Sequence, residues 1–165
     1  MGRHHLPRTQ TRRAALVGPL VSIVIGIAQT DEEIRSCHGV MCQLRPQHDN
    51  ADEFVSRVRL QQQEGYLLAA LREEDTVGAV AGYRSGLNLA WGKYLYVDDL
   101  VTDGTQRSRG HGKLLLDWLC AQARERGCDE LHLDSGVQRF AAHRFYLRDA
   151  QMSITSHHFQ LALRD

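Results

Sequence analysis

Apolar side chains recur along this chain at two spacings, and those spacings predict its helices and strands. Residues 21–27 are rich in β-branched side chains, which favours a strand. Apolar positions at helical spacing then predict two helices, over residues 31–44 and 51–63. Pro46 and Gly65 follow these segments and are typical of helix ends. The first part of the chain is therefore predicted to be one strand followed by two helices.

A hairpin and a longer strand are predicted for the middle of the chain. Residues 66–72 and 77–83 are apolar runs separated by a short acidic turn, and residues 93–102 form a longer run. The second strand of the hairpin carries Gly78 and Gly82. Glycine inside a strand weakens it or marks the close approach of another group. Either the strand is weak at these positions or another part of the protein packs closely onto it.

The remaining pattern predicts a turn at residues 85–88 and a helix over 113–126. After that helix it predicts a short strand at 130–134 and a second helix over 139–148. The weakly alternating residues 152–163 are predicted to form a last strand or hairpin. Together these elements predict a mixed α/β fold with a sheet of six or seven strands and about four helices. Its two central strands should run parallel, joined by a crossover helix.

Composition excludes several classes of protein. The chain has 165 residues, which fits a single domain. It carries 20 basic and 20 acidic residues, and this zero net charge argues against a general nucleic-acid binder, which would be basic. No apolar run reaches the ~20 residues that a transmembrane helix needs. We therefore expect neither a nucleic-acid partner nor a membrane anchor.

The cysteines and histidines indicate neither a disulfide framework nor a metal site. No two cysteines form a Cys-x-x-Cys pair, which favours free thiols in a reducing compartment and a cytoplasmic protein. His157 and His158 are adjacent, and adjacent strand residues point to opposite faces, so the pair does not easily chelate one ion. We therefore predict no metal. The four cysteines are Cys37, Cys42, Cys120 and Cys128.

The N-terminus allows two interpretations. Several arginines precede an apolar run over residues 14–28, a pattern typical of secretory signals. However, Gly18 and Pro19 interrupt that run, and cleavage near its end would remove the predicted first strand. We favour a flexible tail over residues 1–19, followed by one domain over residues 20–165.

The most informative stretch is residues 107–113, Arg-Ser-Arg-Gly-His-Gly-Lys, between a predicted strand and a predicted helix. Its two glycines permit a tight bend and close approach of a ligand to the backbone. The first amides of the following helix lack internal partners and lie at the positive end of the helix dipole. Three basic side chains add charge, so the loop is suited to a pyrophosphate. A plain turn with solvated arginines is the alternative.

This stretch resembles the pyrophosphate-binding signature of the GNAT superfamily of N-acetyltransferases, Q/R-x-x-G-x-G/A, at Arg107, Gly110 and Gly112. The resemblance extends to the flanking strand at 95–101 and to the helix residues 114–119. Further along the chain, the resemblance includes the helix that carries the family's common acid tyrosine, at Ala142, His143, Arg144, Phe145 and Tyr146. It covers about residues 20–164 and is closest to members that acetylate small amines, including the spermidine/spermine type.

The resemblance implies a GNAT-like fold and acetyl-CoA as the co-substrate, with no metal. It implies that the cofactor's pantetheine arm enters between the two parallel strands where they separate at a bulge. By the same resemblance, the pantetheine would bind Leu100 and Val101. The pyrophosphate would bind Arg107, Ser108, Arg109, Gly110, His111, Gly112 and Lys113.

The implied reaction is the direct attack of a primary amine on acetyl-CoA. The resemblance makes Tyr146 the general acid, held in a helix whose Phe140 and Phe145 are suited to the core. Asp98 and Asp99 lie in an otherwise apolar strand, and either could accept the amine proton or attract a cationic substrate. Because adjacent strand residues face opposite ways, only one of them is expected in the cleft.

Two other functions remain open at this stage. The protein could acetylate a protein or peptide amine, or it could be a non-catalytic acyl-CoA sensor on the same fold. An acidic acceptor groove would favour polyamines or aminoglycosides, and an open extended groove would favour peptides. The expected partner is thus a small-molecule or peptide amine, and a homodimer is a further expectation because dimers are common in the family.

Overall fold

A five-stranded sheet organises residues 22–164, which are the residues that the computed structural model describes. Its strands lie in the order in which they occur along the chain; the first four are antiparallel, and the fifth runs parallel to the fourth. They are β1 (Ile23–Ile27), β2 (Leu67–Glu73), β3 (Thr76–Asn88), β4 (Gly92–Thr102) and β5 (Glu130–Leu133). The predicted mixed α/β fold is confirmed; the proposed N-terminal tail lies outside the described residues.

Four α-helices accompany the sheet in the described part of the chain, as the sequence predicted. Thr30 caps the first helix by a reciprocal capping box with Glu33, and the side chain of Asn50 caps the second. The fourth helix continues directly into a π-helical turn, Phe145–Asp149. The helices are α1 (Asp31–Leu44), α2 (Ala51–Gln63), α3 (His111–Glu125) and α4 (Phe140–Arg144). Between residues 22 and 164 none of the helices has the length and apolar character needed to cross a membrane.

Each face of the sheet packs against its own helices. Helices α1 and α2 bury Ile34, Cys37 and Phe54 against one face, which contributes Leu68 and Val80. The α3 helix covers the opposite face with a separate apolar cluster. The strand residues of that second cluster include Leu71, Ala81, Tyr83, Leu95 and Val97, and the helix residues include Leu115, Leu116 and Leu119. The third strand is buried on both faces and forms the centre of the molecule.

The C-terminal segment differs from its prediction. Residues 152–164 form no regular secondary structure, so the sheet has five strands in the described residues rather than six or seven. Met152 donates its amide to the carbonyl of Tyr146, but Phe159, Leu161 and Leu163 are more than four-fifths exposed. An alternating pattern becomes a strand only where an edge accepts its backbone and a surface buries its apolar side. Here neither condition is met.

The turn predicted at residues 85–88 is also misplaced, because β3 continues to Asn88. The side chain of Asn88 accepts hydrogen bonds from the amides of Ala90 and Trp91, which places the turn after the strand. Gly86 is needed because the ring of Tyr94 lies above it: an added Cβ would come within 2.5 Å of that ring. In this strand the glycine therefore marks close packing rather than a turn.

The same explanation holds for the two glycines earlier in β3. A Cβ on Gly78 would lie 2.6 Å from Nδ1 of His111, and a Cβ on Gly82 would lie 1.9 Å from the hydroxyl of Tyr66. Of the two alternatives given for these glycines, close approach is therefore confirmed. Both aromatic rings belong to the region in which the candidate site is found.

Candidate active site at the opening between β4 and β5

The two parallel strands pair over only four positions. Pairing begins at Tyr94 with Glu130 and ends at Val97 with Leu133. Beyond Val97 the β4 strand continues to Thr102 without a strand partner on this side among residues 22–164. The opening therefore exposes β4 backbone groups beside β5, where an extended ligand can pair with them. The two parallel strands lie at one end of the sheet in the described residues, not at its centre as predicted.

The alternation of an antiparallel ladder decides which backbone groups face this opening. The amide of Asp103 donates to the carbonyl of Gly78, so Val101, two residues earlier, also bonds towards β3. The backbone groups of Leu100 and Thr102 then point towards the opening. Of the two residues predicted to bind pantetheine, Leu100 is thus placed to do so. The backbone of Val101 is engaged with β3, and its side chain packs against the α1–α2 cluster.

A β-bulge lies where the pairing of β4 with β5 ends. Tyr83 pairs with Val97 and Gly82 pairs with Asp99, so Asp98 is an extra residue in β4. The bulge reverses the alternation of side chains: Val97 and Leu100 both pack on the α3 side. Asp98 and Asp99 consequently both face the α1–α2 side, and the expectation that only one would face the cleft is wrong.

A cavity of about 230 Å³ occupies the opening between the strands. Val97, Asp98 and Leu100 line it from β4, and Leu133 lines it from β5. Tyr146 completes the wall from the π-helical turn. The cavity therefore lies between β4 and Tyr146.

Packing fixes the ring of Tyr146. The residue is 9% exposed, and its ring contacts that of Phe145 with centroids 5.3 Å apart. Burial raises the pKa of Tyr146 above its ordinary value, although the positive charge of Arg139 opposes this rise. The phenol is thus a proton donor throughout the neutral range. Phe145 packs against the α3-side core as predicted, but Phe140 is 73% exposed and does not belong to the core.

The glycine-rich loop leads into α3 with its backbone bent as the sequence suggested. Gly110 is the N-cap residue of α3 and has φ of 80°, in the left-handed region that favours glycine. It makes no side-chain cap, so the first amides of the 15-residue helix are not satisfied by such a group. An added Cβ at Gly112 would lie 3.1 Å from the hydroxyl of Thr102, so the helix start packs closely against β4 at this glycine.

The basic side chains of this loop are not equally available. Arg109 forms an ion pair with Glu73, and Lys113 lies 2.5 Å from Asp117 within its own helix. Arg107 and Ser108 are exposed. The side chain of Arg107 is thus the more accessible cation of this loop.

His111 has a buried ring rather than a ring directed at solvent. It is 2% exposed, and its Nε2 lies 3.4 Å from Oε2 of Glu73. Its Nδ1 is buried without a hydrogen-bond partner, close above Gly78. At this position only the backbone amide can face an anion, so the predicted binding role of His111 cannot involve its imidazole.

A second cavity, of about 530 Å³, lies between the α1–α2 pair and the sheet. Both Asp98 and Asp99 line it, together with the side chains of Tyr66 and Arg84. Arg45 and Asp98 line both cavities, so the two cavities adjoin at these residues. These two residues therefore form the boundary that the two cavities share.

Each of the two carboxylates is held by an arginine. Arg84 approaches Oδ2 of Asp98 at 2.8 Å, and Nε of Arg45 donates to Oδ1 of Asp99 at 2.8 Å. The hydroxyl of Tyr66 donates to the other oxygen of Asp99 at 3.1 Å. Burial raises the pKa of Asp98, and the hydrogen bond from Arg84 offsets part of that rise.

These arginines and the tyrosine were not found from the sequence. Arg45 is 54 residues from Asp99, and Arg84 is 14 residues from Asp98. One signal could have indicated them: carboxylates in an apolar strand require a cationic or hydrogen-bonding partner. Tyr66 could have been sought because Gly82 leaves space for its ring. In residues 22–164, no three His, Cys, Asp or Glu side chains lie close enough together to hold a metal ion.

Comparison with known proteins identifies the family. The profile described as the acetyltransferase (GNAT) family matches residues 28–150. The chain belongs to the GNAT family of acetyltransferases. It is accordingly an acyltransferase of that family, and the resemblance stated from the glycine-rich loop is confirmed.

This GNAT chain is similar to an uncharacterised N-acetyltransferase of Bacillus subtilis (strain 168) named YhdJ. The two are 35% identical over 130 residues, which are 78% of this chain and 91% of the relative. The match therefore includes nearly the whole of the relative, and it supports the same family.

Solved structures show the same GNAT fold at low sequence identity. The aminoglycoside N-acetyltransferase AAC(6')-Iy, in complex with CoA, has a TM-score of 0.75 at 15% identity, covering 91% of this chain and 100% of that chain. Glucosamine-6-phosphate N-acetyltransferase from Arabidopsis thaliana has a TM-score of 0.70 at 18% identity, covering 87% and 99%. At such identities the likeness concerns the fold alone.

Proposed function

We propose that this protein transfers the acetyl group of acetyl-CoA to a primary amine by direct attack, with Tyr146 as the general acid. The observation that carries the proposal is the position of Tyr146 in the cavity at the opening of the sheet. That cavity adjoins a larger one that can hold the acceptor. Family membership supports an acyl transfer, and the local geometry supports this assignment of roles.

The residues of the opening fit an extended thioester donor. The backbone groups of Leu100 and Thr102 point into the gap and can pair with an amide-containing arm. The α3 N-terminus and Arg107 offer amides and charge for a pyrophosphate. Gly110 keeps a side chain out of the open space at the helix start, and Gly112 lets that start lie close to Thr102 of β4. Acetyl-CoA has these parts in this order, so we propose it as the co-substrate.

The proposed reaction has a complete proton balance. The neutral amine attacks the thioester carbonyl, a C–N bond forms, and the C–S bond breaks. A backbone amide of β4 near Leu100 would stabilise the oxyanion that develops on the carbonyl. The leaving thiolate takes the proton of Tyr146, and the amine nitrogen releases one proton to a carboxylate or to water, from which a proton returns through solvent to the tyrosinate. Asp98 is our candidate acceptor because it lines both cavities.

A thiol-release assay tests this function directly. Purified protein is mixed with acetyl-CoA and a panel of small primary amines and short peptides, and free CoA thiol is measured over time. Amine-dependent release with acetylated amine as the product is the expected result. Faster turnover of peptides than of small amines would support the protein or peptide alternative. Stable acetyl-CoA binding without turnover on any acceptor would contradict the proposed transfer.

Replacing each aspartate by asparagine separates their roles. Asp98→Asn should raise the KM for the amine and remove the acidic limb of the rate profile. A base must be ionised, so the parent rate should fall as the pH drops through the raised pKa of Asp98. Asp99→Asn should instead destabilise the fold by ~1–3 kcal/mol, because it disturbs the bonds with Arg45 and Tyr66.

Steady-state kinetics across pH and urea denaturation measure these two effects in both variants. If neither substitution changes the KM or the pH profile, the pair is structural and the amine proton leaves through water. If Asp99→Asn alone changes the kinetics, the assignment of the base to Asp98 is wrong.

A further inference from the structure

The larger cavity presents more positive than negative groups. Its lining includes three guanidinium groups, from Arg45, Arg57 and Arg84, but only two carboxylates, from Asp98 and Asp99. Both carboxylates already accept charge-assisted hydrogen bonds from Arg45 and Arg84. The acidic pair is therefore neutralised within the protein and does not offer a free anionic site for a second ammonium group.

Arg57 differs from the other two arginines of this cavity. Its charged partner is Glu53, one turn earlier on α2, at 3.0 Å. Both side chains are more than half exposed, and exposed pairs of this spacing contribute little to stability. A ligand anion can therefore take the place of Glu53 at small cost, whereas Arg45 and Arg84 are held by partly buried aspartates.

We propose that the acceptor is a primary amine that also carries an anionic group, such as a carboxylate, and that Arg57 binds this anion. This inference rests on the proposed acetyl transfer. The amine end would lie at Asp98, where the two cavities adjoin, and the anionic end would lie at the α2 wall. The anion would replace Glu53 as the partner of Arg57, and a guanidinium can bind a carboxylate through two parallel hydrogen bonds.

The arrangement disfavours acceptors with several ammonium groups. A second cation in the cavity would approach the guanidinium groups of Arg57 and Arg84 without a free carboxylate to bind. Repulsion between like charges in a partly buried site weakens the binding of such a ligand. The sequence had left polyamines open on the condition of an acidic groove, and that condition is not met in this cavity.

Three acceptors of equal chain length test the proposal. They are 6-aminohexanoate, hexylamine and 1,6-diaminohexane, which share one primary amine and differ only at the far end. In the thiol-release assay at saturating acetyl-CoA and fixed pH, kcat/KM should be about tenfold higher for 6-aminohexanoate than for hexylamine, as expected for a charge-assisted hydrogen bond. It should be lowest for 1,6-diaminohexane.

Charge variants at Arg57 identify the binding group. Arg57→Gln should reduce the preference for 6-aminohexanoate over hexylamine to within about threefold, because only neutral hydrogen bonds remain. Arg57→Lys should retain part of the preference, and Arg57→Glu should shift it towards 1,6-diaminohexane. Arg124→Gln is the matched control, since Arg124 is an exposed arginine on α3, on the other face of the sheet. It should leave all three values unchanged.

The proposal is overturned if 1,6-diaminohexane is the best acceptor or if Arg57→Gln leaves the preference intact. A second measurement does not need turnover: in the presence of CoA, 6-aminohexanoate should raise the melting temperature more than 1,6-diaminohexane does. The reverse order would also overturn the proposal. No thiol release with any acceptor would contradict the proposed function instead, and the melting temperatures would still decide the charge preference.

Discussion

Replacing Tyr146 by phenylalanine should lower turnover by a factor of about 100 to 10,000, the usual cost of removing a general acid. Phenylalanine keeps the ring that packs against Phe145 and fills the cavity wall. The variant should therefore bind acetyl-CoA and melt nearly as the parent does. Only the proton for the leaving thiolate is lost. Turnover is measured by thiol release, and binding is measured by thermal shift.

A matched control is available in Tyr94→Phe. Tyr94 is partly buried on β4, where its ring packs against Trp91, and it lines neither cavity. The control should turn over within about twofold of the parent, since surface-side substitutions of this kind cost little. If Tyr146→Phe behaves like the control on an acceptor that the parent acetylates well, another group or water protonates the sulfur.

The raised pKa of Tyr146 determines how the rate should depend on pH. Burial raises that pKa above the ordinary value of a phenol, about 10. An acid must be protonated to act, so its contribution is complete below its pKa and is lost as the pH rises through it. Tyr146 should consequently cause no fall in the rate of the parent below about pH 10.

The second large effect is expected at the glycine-rich loop. Acetyl-CoA at a hundredfold excess over its dissociation constant should stabilise the parent by about 2.7 kcal/mol. Replacing both Gly110 and Gly112 by valine should abolish this stabilisation, because the side chain at 110 would enter the open space proposed for the pyrophosphate and the one at 112 would press the helix start against Thr102. Thermal shift against acetyl-CoA concentration measures the effect.

Strain must be separated from lost binding in this experiment. Valine at Gly110 is strained whatever the space, since its φ is 80°. Gly127, just after the C-terminal end of α3, has φ of 68° and open space around it. Gly127→Val should therefore lower the melting temperature in a similar way and keep the full shift with acetyl-CoA. A double variant at the loop that also keeps the shift would contradict the proposed cofactor site.

Local signals made much of the fold predictable. The helix starting after Thr30 has its capping box within four residues, and the strands beside it are marked by apolar runs. The glycine-rich loop indicated a family because its whole pattern lies within one connection. Gly78 and Gly82 left a weak strand or close packing open, and the structure shows close packing by the rings of His111 and Tyr66, which are distant in sequence.

The parts that escaped prediction depend on partners far along the chain. The carboxylates of the larger cavity are paired with Arg45 and Arg84, which come close to Asp99 and Asp98 only once the protein has folded. The C-terminal alternation over residues 152–163 predicted a strand, but alternation does not specify which edge would accept it. In both cases the local sequence shows whether a residue is polar or apolar, but it does not show which distant residue or strand will contact it.

The extra residue at Asp98 gives β4 two halves that are out of phase. Before it, the odd-numbered Val97 faces α3; after it, the even-numbered Leu100 does. The side of the sheet that a β4 residue occupies therefore depends on its position relative to the bulge at Asp98. Point substitutions leave these faces unchanged, and so would loss of Asp98, because Asp99 would then follow Val97 directly and still pair with Gly82. A residue inserted after Asp98 would instead exchange the faces of everything up to Thr102 and disturb both cavities, while substitution or loss of Asp98 alters only the wall that the two cavities share.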